Sequence, residues 1–345
     1  MNFSYPGGEM FKGTLSITVG ICAVVATLIL GIFIGAAPLP VAGVFHTLSF
    51  GLLGGPDSAL SARESAILLN VRLPRVAMAA LVGTALAIAG ATYQAVFRNP
   101  LADPYLLGIS SGAALAVTVA ILFGAAAAMI PIVGFAGGIV AVVVTYIAGN
   151  SLGDRSSPVT VILAGVAVAA FANAAQQFLL QRNEDSLRII YGWMLGQLGA
   201  SSWRGVLYSA IPVLVGVVAV LMSARALDVL SVGDTEAASL GLNVGGVRVA
   251  LVAAATLIAA ASVSVSGLIG FVGIIVPHAL RIIVGPGHRL LLPLVALWGA
   301  AFLQVADIVG RTVMSPAEVP VGVVTAAVGG PFFLYLLRRY GRSKS

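Results

Sequence analysis

Long apolar runs separated by short polar segments dominate the chain. A run of about 20 apolar residues allows an α-helix to cross the hydrocarbon core of a bilayer. Ten such runs are recognisable, near residues 14–36, 76–96, 105–124, 128–149, 159–180, 205–224, 248–267, 270–284, 290–309 and 319–337. The alternating segments of about ten residues that are typical of a membrane barrel are absent. The pattern therefore predicts an all-α, polytopic membrane protein with about ten transmembrane helices.

The first apolar run, from Thr14 to Ala36, is predicted to be a retained transmembrane helix. It is longer than the apolar core of a cleaved signal peptide, which has about 7–15 residues, and it lacks a clear small-x-small cleavage site. No internal repeat is recognisable along the chain. We therefore expect a single transmembrane domain over residues 1–345.

One polar insertion, about residues 225–248, interrupts the apolar pattern between the sixth and seventh runs. Asp234 and Glu236 stand where the first turn of a helix favours acidic residues, and Gly241 stands where a helix ends. The insertion thus predicts a short amphipathic helix, Thr235 to Leu240, on the membrane surface. Such a helix is suited to docking a partner, and a solvated connector is the alternative.

The distribution of basic residues predicts the orientation of the chain, because cytoplasmic loops carry an excess of Lys and Arg. With the N-terminus inside, eleven basic residues lie on the inner side and seven on the outer side. The inner set is Lys12, Arg98, Arg155, Arg225, Arg248, Arg281, Arg289, Arg338, Arg339, Arg342 and Lys344. The outer set is Arg63, Arg72, Arg75, Arg182, Arg188, Arg204 and Arg311. We therefore expect both termini in the cytoplasm.

Composition excludes several classes of protein. The 345 residues are 59% hydrophobic and 9% charged, with a mean hydropathy of +1.07. Soluble domains carry about 25% charged residues, so a soluble globular protein and a disordered chain are both excluded. The net charge of +6 comes from basic residues scattered singly, which argues against binding of nucleic acid. The single Cys22 excludes a disulfide framework and a thiolate metal site.

No catalytic signature is present in the sequence. A Walker A motif needs a Gly-Lys pair, yet Lys12 follows Phe11 and Lys344 stands one residue from the end. The three histidines are not at the spacing of metal ligands, and no G-x-S-x-G elbow occurs. We expect no enzyme activity in this chain, no bound cofactor and no metal. Transport or signalling remains.

Small and polar residues inside the apolar runs indicate how the predicted helices pack. The spacings Gly83-x-x-x-Ala87 and Gly108-x-x-x-Gly112 predict close approach of helix backbones. Four amide side chains lie at span depth, namely Gln94, Asn173, Gln176 and Gln177. They either line a pathway or hydrogen-bond between helices, because unpaired amides are costly in a membrane. The sequence leaves both alternatives open.

Six segments occur together in a characteristic order. They are Arg72-Leu73-Pro74-Arg75, Asn99 to Pro104, Gly233 to Gly241, Phe271 to His278, Ala306 to Arg311, and Pro320 to Thr325. With these segments the chain resembles, over residues 14 to 340, the permease subunits of the FecCD family. That family comprises the type II ATP-binding-cassette importers for ferric siderophores, haem and cobalamin.

The resemblance implies an assembly in the bacterial inner membrane. Two copies of the permease surround a central pathway, two separate ATPase subunits bind on the cytoplasmic side, and a periplasmic binding protein docks outside. The resemblance assigns the insertion to coupling with the ATPase, through Asp234, Glu236, Leu240 and Gly241.

The resemblance also assigns Arg72, Arg75 and Arg311 to docking of acidic residues on the binding protein. Guanidinium groups suit this role, because they pair with carboxylates in a bidentate manner. As alternatives, Arg72 and Arg75 anchor a helix end at the lipid headgroups, and Asp307 pairs with Arg311 within the chain.

The substrate is less determined than the class. Haem is the expected substrate, with ferric siderophores and cobalamin as alternatives, since a pathway almost free of charge suits a large chelate.

Two other classes of membrane protein stay open. An ion-coupled secondary transporter needs carboxylates at the midplane, whereas the acidic residues here stand near span ends or in loops. A receptor or structural subunit without transport is the other.

Overall fold

The computed structural model describes residues 6–35, 37–49, 60–151 and 158–342, and no strand occurs within these ranges. Fifteen α-helices follow one another along them. They are α1 Pro6–Phe33, α2 Val41–Ser49, α3 Ala62–Ile67, α4 Leu73–Val96, α5 Ile109–Leu122, α6 Ile130–Ser151, α7 Pro158–Gln181, α8 Leu187–Met194, α9 Trp203–Met222, α10 Ala224–Val232, α11 Asp234–Ser239, α12 Val244–Ser266, α13 Val272–Val284, α14 His288–Thr312 and α15 Val321–Arg342.

Seven of the described helical segments are long and apolar enough to cross a membrane. They are Gly13–Phe33, Ala62–Val96, Ala127–Ser151, Val159–Gln181, Trp203–Met222, Val244–Ser266 and His288–Thr312. The third, eighth and tenth predicted spans correspond to shorter apolar helices, α5, α13 and α15. The all-helical membrane fold is therefore confirmed, while the count of ten spans stays a prediction.

The second span begins earlier than predicted. A helix starts at Ala62 rather than near residue 76 and continues through a π-helical turn, Leu68–Arg72, into α4. Ser61 begins this helix with a capping box, in which its side chain accepts from the Glu64 backbone N–H while the Glu64 carboxylate accepts from Ser61. Hydropathy missed this stretch because polar residues interrupt it, although the capping box supports a helix there.

Helix α4 lies at the centre of the fold. It packs against α12, α13 and α14, and most of its residues are buried. A Cβ at Gly83 would overlap the carbonyl oxygen of Gly299 in α14, and one at Gly90 would overlap that of Gly273 in α13. These backbones therefore touch directly, as the small-residue spacing at Gly83 predicted.

The four amides at span depth fall into two groups. Gln94 donates to the Gly273 carbonyl at 3.1 Å, and Gln176 donates to the Thr118 hydroxyl at 2.9 Å, so these two link helices. Asn173 and Gln177 instead stand one turn apart on the exposed face of α7. Gln94 and Gln176 therefore take the interhelical role, while lining of a pathway by Asn173 and Gln177 stays a prediction.

The glycine contact between α4 and α13 yields a prediction. Replacing Gly90 with Ala places a methyl group against the Gly273 backbone, so the free energy of unfolding should fall by about 1–3 kcal/mol, as in other overpacked cores. Thermal unfolding of the detergent-solubilised protein measures this change. Gly330→Ala is the matched control, because Gly330 is helical and has no atom within 4 Å of its Cβ position. Equal loss in both variants would contradict the contact.

Candidate functional site

A group of charges, here called the outer cluster, joins the buried residues Arg75, Asp307 and Arg311 to the exposed Glu318. Arg75 Nε donates to Asp307 Oδ1 at 2.9 Å, and Arg75 Nη1 donates to Glu318 Oε1 at 2.9 Å. Arg311 Nη2 lies 3.4 Å from Asp307 Oδ2, one helical turn along α14. The Asp307 side chain is 1% exposed, whereas that of Glu318 is 41% exposed. Glu318 is therefore the member that solvent or a partner reaches most easily.

The positions of these charges follow from the packing of α4. Arg75 stands in the first turn of α4, and Asp307 and Arg311 stand one turn apart in the last part of α14, the helix against which α4 packs. Buried charges are tolerated only when they are paired, and Asp307 sits between two guanidinium groups. Arg75 and Glu318 also border a cavity of about 160 Å³.

Arg72 does not join the outer cluster, although it stands only three residues before Arg75. Its Nη1 donates to the carbonyls of Ile32 at 2.9 Å and Phe33 at 3.3 Å, and its Nη2 donates to that of Ala37. These carbonyls lie at and just beyond the end of α1, where a helix leaves its last C=O groups without partners. Arg72 thus ties α1 to α4.

All three arginines expected at the binding-protein interface are buried and have partners within the chain. The internal pairing of Arg311 with Asp307 is the alternative that the sequence suggested. Docking by Arg72, Arg75 and Arg311 stays a prediction, since it concerns a partner. Their burial means that a partner first meets Glu318 and the rim around Arg75.

A second group of charges, the inner cluster, centres on Asp234 at the start of α11. Arg248 Nη2 donates to both carboxylate oxygens of Asp234, at 2.7 and 2.9 Å. Arg98, just after α4, places Nη2 3.3 Å from Asp234 Oδ1. The inner cluster joins α11 to α12 and to the end of α4.

Helix α11 confirms the short helix that was expected in the insertion, beginning at Asp234, one residue earlier than predicted. Ala237 is fully buried, while Glu236 is exposed and Leu240 is 70% exposed. Gly241 has a φ of +82°, the left-handed conformation common after a helix. Glu236, Leu240 and Gly241 therefore form an accessible surface, whereas Asp234 is held by arginines.

Sequence reasoning missed several residues around α11. The insertion was expected to hold one short helix, but α10 precedes α11 and packs on α4 and α14. Asp228 of α10 accepts from the backbone N–H of His288 at 2.8 Å, which fixes α10 to the start of α14. Arg98 and Arg248 were counted only as inner charges. The sequence did contain a signal for the inner cluster. The acidic Asp234 was assigned to the same side of the membrane as the basic residues Arg98 and Arg248.

The Asn99–Pro104 motif forms the turn after α4. The Asn99 side chain accepts from the Leu101 N–H at 2.9 Å, and Asp103 Oδ1 accepts from the Tyr105 N–H at 2.8 Å. Burial raises the pKa of Asp103 to about 6, although the hydrogen bond from Tyr105 acts in the opposite direction. The motif therefore builds a fixed turn that leads from α4 towards α5.

The two clusters agree with the predicted threading of the chain. Arg98, Asp234 and Arg248 were assigned to one side of the membrane, and Arg75 and Arg311 to the other. Residues Arg75 and Arg98 are separated by 23 positions of a mostly helical segment, or about 35 Å at 1.5 Å per residue. The clusters thus lie at opposite ends of α4. Which end faces the cytoplasm stays a prediction.

Among the described residues, no group of three or more His, Cys, Asp or Glu side chains is arranged to hold a metal ion. The arrangement instead consists of a multi-helix membrane core with one ion cluster at each end of its central helix. Comparison with known protein families finds that the model of the FecCD transport family matches residues 23–339. The chain belongs to the FecCD transport family.

Relatives in this family include importer permeases. The cobalamin import system permease protein BtuC of Halobacterium salinarum is 40% identical over 94% of this chain and 86% of its own length. The hemin transport system permease protein HmuU of Yersinia pestis is 42% identical over 81% of this chain and 85% of its own length. A solved structure described as an inward-facing metal-chelate type ABC transporter has a TM-score of 0.82 at 29% identity, covering 94% of this chain and 98% of its own.

The outer cluster yields a prediction about stability. Replacing Asp307 with Asn leaves two buried guanidinium groups without their shared carboxylate, so the free energy of unfolding should fall by about 3–5 kcal/mol. Glu318→Gln is the matched control, because Glu318 is 41% exposed and an exposed pair contributes about 1 kcal/mol or less. Thermal unfolding in detergent compares the two variants. A loss at Glu318 equal to that at Asp307 would show that Asp307 does not hold the cluster together.

Proposed function

We propose that this chain is the transmembrane permease subunit of an ATP-driven importer that moves a metal chelate from a periplasmic binding protein across the inner membrane. The observation that carries the proposal is the family match over residues 23–339. The named relatives are permeases of a cobalamin import system and a hemin transport system, and the solved neighbour is described as a metal-chelate type transporter. The chain therefore supplies the passage, and energy comes from a partner.

The proposed partner on the cytoplasmic side is a pair of ATPase subunits, because the sequence has no Walker A motif of its own. Their docking surface is α11, where Glu236, Leu240 and Gly241 are accessible. Leu240, which ends α11, is a 70% exposed apolar side chain that a partner's cleft can bury. Closure of the ATPase pair then moves α11, and α10 and α12 carry the movement into the core.

The proposed assembly contains a second copy of the chain. Asn173 and Gln177 form an exposed polar stripe on α7, and amide groups facing lipid are costly. This face is better placed against a water-filled pathway than against acyl chains. Two copies related by a two-fold axis, with their α7 faces opposed, would enclose such a pathway.

The proposed docking site for the binding protein is the outer cluster. Complementary charge at an interface speeds association and sets its register. Glu318 and the edge of Arg75 are the accessible members, while Arg72 holds the end of α1 and Arg311 pairs with Asp307 from beneath. With this end outside, both termini lie in the cytoplasm.

Haem is the proposed first substrate to test, and cobalamin and ferric siderophores are the alternatives. The hemin and cobalamin relatives share similar identity with this chain, 42% and 40%. All three substrates are large chelates that suit an apolar pathway with a few amide groups. We therefore propose a large metal chelate as the substrate, with haem as the first one to test.

An ion-coupled secondary transporter is the rival from another class. It would need carboxylates at the midplane that bind the coupling ion. Within the described spans, Glu64 stands at the start of its helix, and Asp307 is engaged by Arg75 and Arg311. This placement favours an ATP-driven importer.

A reconstituted system tests the proposal. The permease, an ATPase subunit and a binding protein from neighbouring reading frames are placed in proteoliposomes, and uptake of haem, ferric siderophore and cobalamin is measured. We expect uptake of one chelate that needs ATP and the binding protein and that persists when proton and sodium gradients are collapsed. Uptake that follows an ion gradient without ATP would support the rival class, and no uptake of any chelate would contradict the proposed substrate class.

A further inference from the structure

The end of α4 has an unusual residue in a common motif. The Asn99 N–H donates to the Gln94 carbonyl at 3.0 Å, and the Arg98 N–H donates to the Ala95 carbonyl at 3.2 Å. These two bonds define a Schellman motif, whose left-handed position is usually occupied by glycine. Here Arg98 occupies it, with a φ of +49°. A residue other than glycine is uncommon in this conformation, and contacts around it must hold it there.

The side chain of Arg98 reaches Asp234. Asp234 forms ion pairs with Arg98, which follows α4, and with Arg248 of α12. One carboxylate therefore connects α11 to the end of α4 and to α12. Gly233 precedes α11 and acts as a glycine joint between α10 and α11. Its φ is +149°, and a Cβ at this position would overlap the Glu236 carboxylate. Helix α11 is thus a short segment between a glycine joint and Gly241, and the inner cluster holds its first residue in place.

We propose that Asp234 is a positioning residue that clamps α11 to α4 and α12, rather than a contact to the ATPase. The clamp sets the orientation in which Glu236 and Leu240 are presented. It also makes the end of α4, through Arg98, a direct recipient of any movement of α11. Its consequence for transport rests on the proposed function, but the clamp itself is a property of the permease alone.

Two acidic residues of α11 differ in the way that distinguishes a positioning role from contact with the ATPase. Asp234 and Glu236 are acidic and lie two positions apart, yet Asp234 is bound by two arginines while Glu236 is exposed and makes no ion pair with any described residue. Arg248 and Arg98 already contact the Asp234 carboxylate, so a partner's cation would have to compete with two arginines of the same chain. Glu236 is therefore the matched control for Asp234.

Hydrogen exchange in the permease alone tests the clamp. The reporters are the backbone amides of Ala237, Leu240 and Leu242, each hydrogen-bonded in or just after α11. Asp234→Asn should speed their exchange about tenfold and Arg98→Gly about threefold, while Glu236→Gln should change it less than about twofold. Arg98→Gly also places the preferred residue in the Schellman position, so the last turn of α4 should not exchange faster.

ATPase binding provides the second readout. The clamp predicts that Asp234→Asn keeps ATPase affinity within about threefold of wild type but lowers chelate uptake per ATP hydrolysed. Unchanged exchange in α11 of Asp234→Asn would overturn the clamp, and ATPase affinity reduced by more than about tenfold in the same variant would make Asp234 a contact residue. If the wild-type permease binds no ATPase while the exchange pattern appears as expected, the proposed function fails and the clamp stands.

Discussion

Direct backbone contact between α4 and its neighbours is the constraint on which the rest of the structure depends. Gly83 meets α14 and Gly90 meets α13 without side chains between them. Lipid supplies no hydrophobic drive between helices, so close van der Waals packing of this kind holds a membrane bundle together. Because α4 is fixed along its length, the charged groups at its two ends are fixed as well.

The central helix α4 connects the two ion clusters. Arg75 binds Asp307 at one end of α4, and Arg98 binds Asp234 at the other. A buried helix that carries both contacts offers a mechanical link between the outer cluster and α11. In an ATP-driven importer, such a link lets arrival of a loaded binding protein and closure of the ATPase act on the same element.

Hydropathy and local signals predicted much of this fold, and packing determined the remainder. The apolar runs predicted the membrane class, and Asp234, Glu236 and Gly241 predicted α11, because these features depend on nearby residues only. The start of the second span and the short length of α5 depend on a capping box and a fixed turn, which hydropathy does not register. The burial of Arg72, Arg75 and Arg311 depends on carbonyls and carboxylates more than 30 positions away in most cases. Sequence could identify these arginines but not the direction in which they point.

Site-directed crosslinking tests the central claim, that an ATPase drives this chain through α11. Cys22 is the only cysteine, so Cys22→Ser gives a background for single-cysteine variants. With a short bis-maleimide, the Leu240→Cys variant is expected to crosslink to the ATPase subunit, while Val215→Cys, 59% exposed in the span α9, is not. An ATPase that co-purifies with the permease yet fails to crosslink at position 240, or crosslinks equally at position 215, would contradict the account.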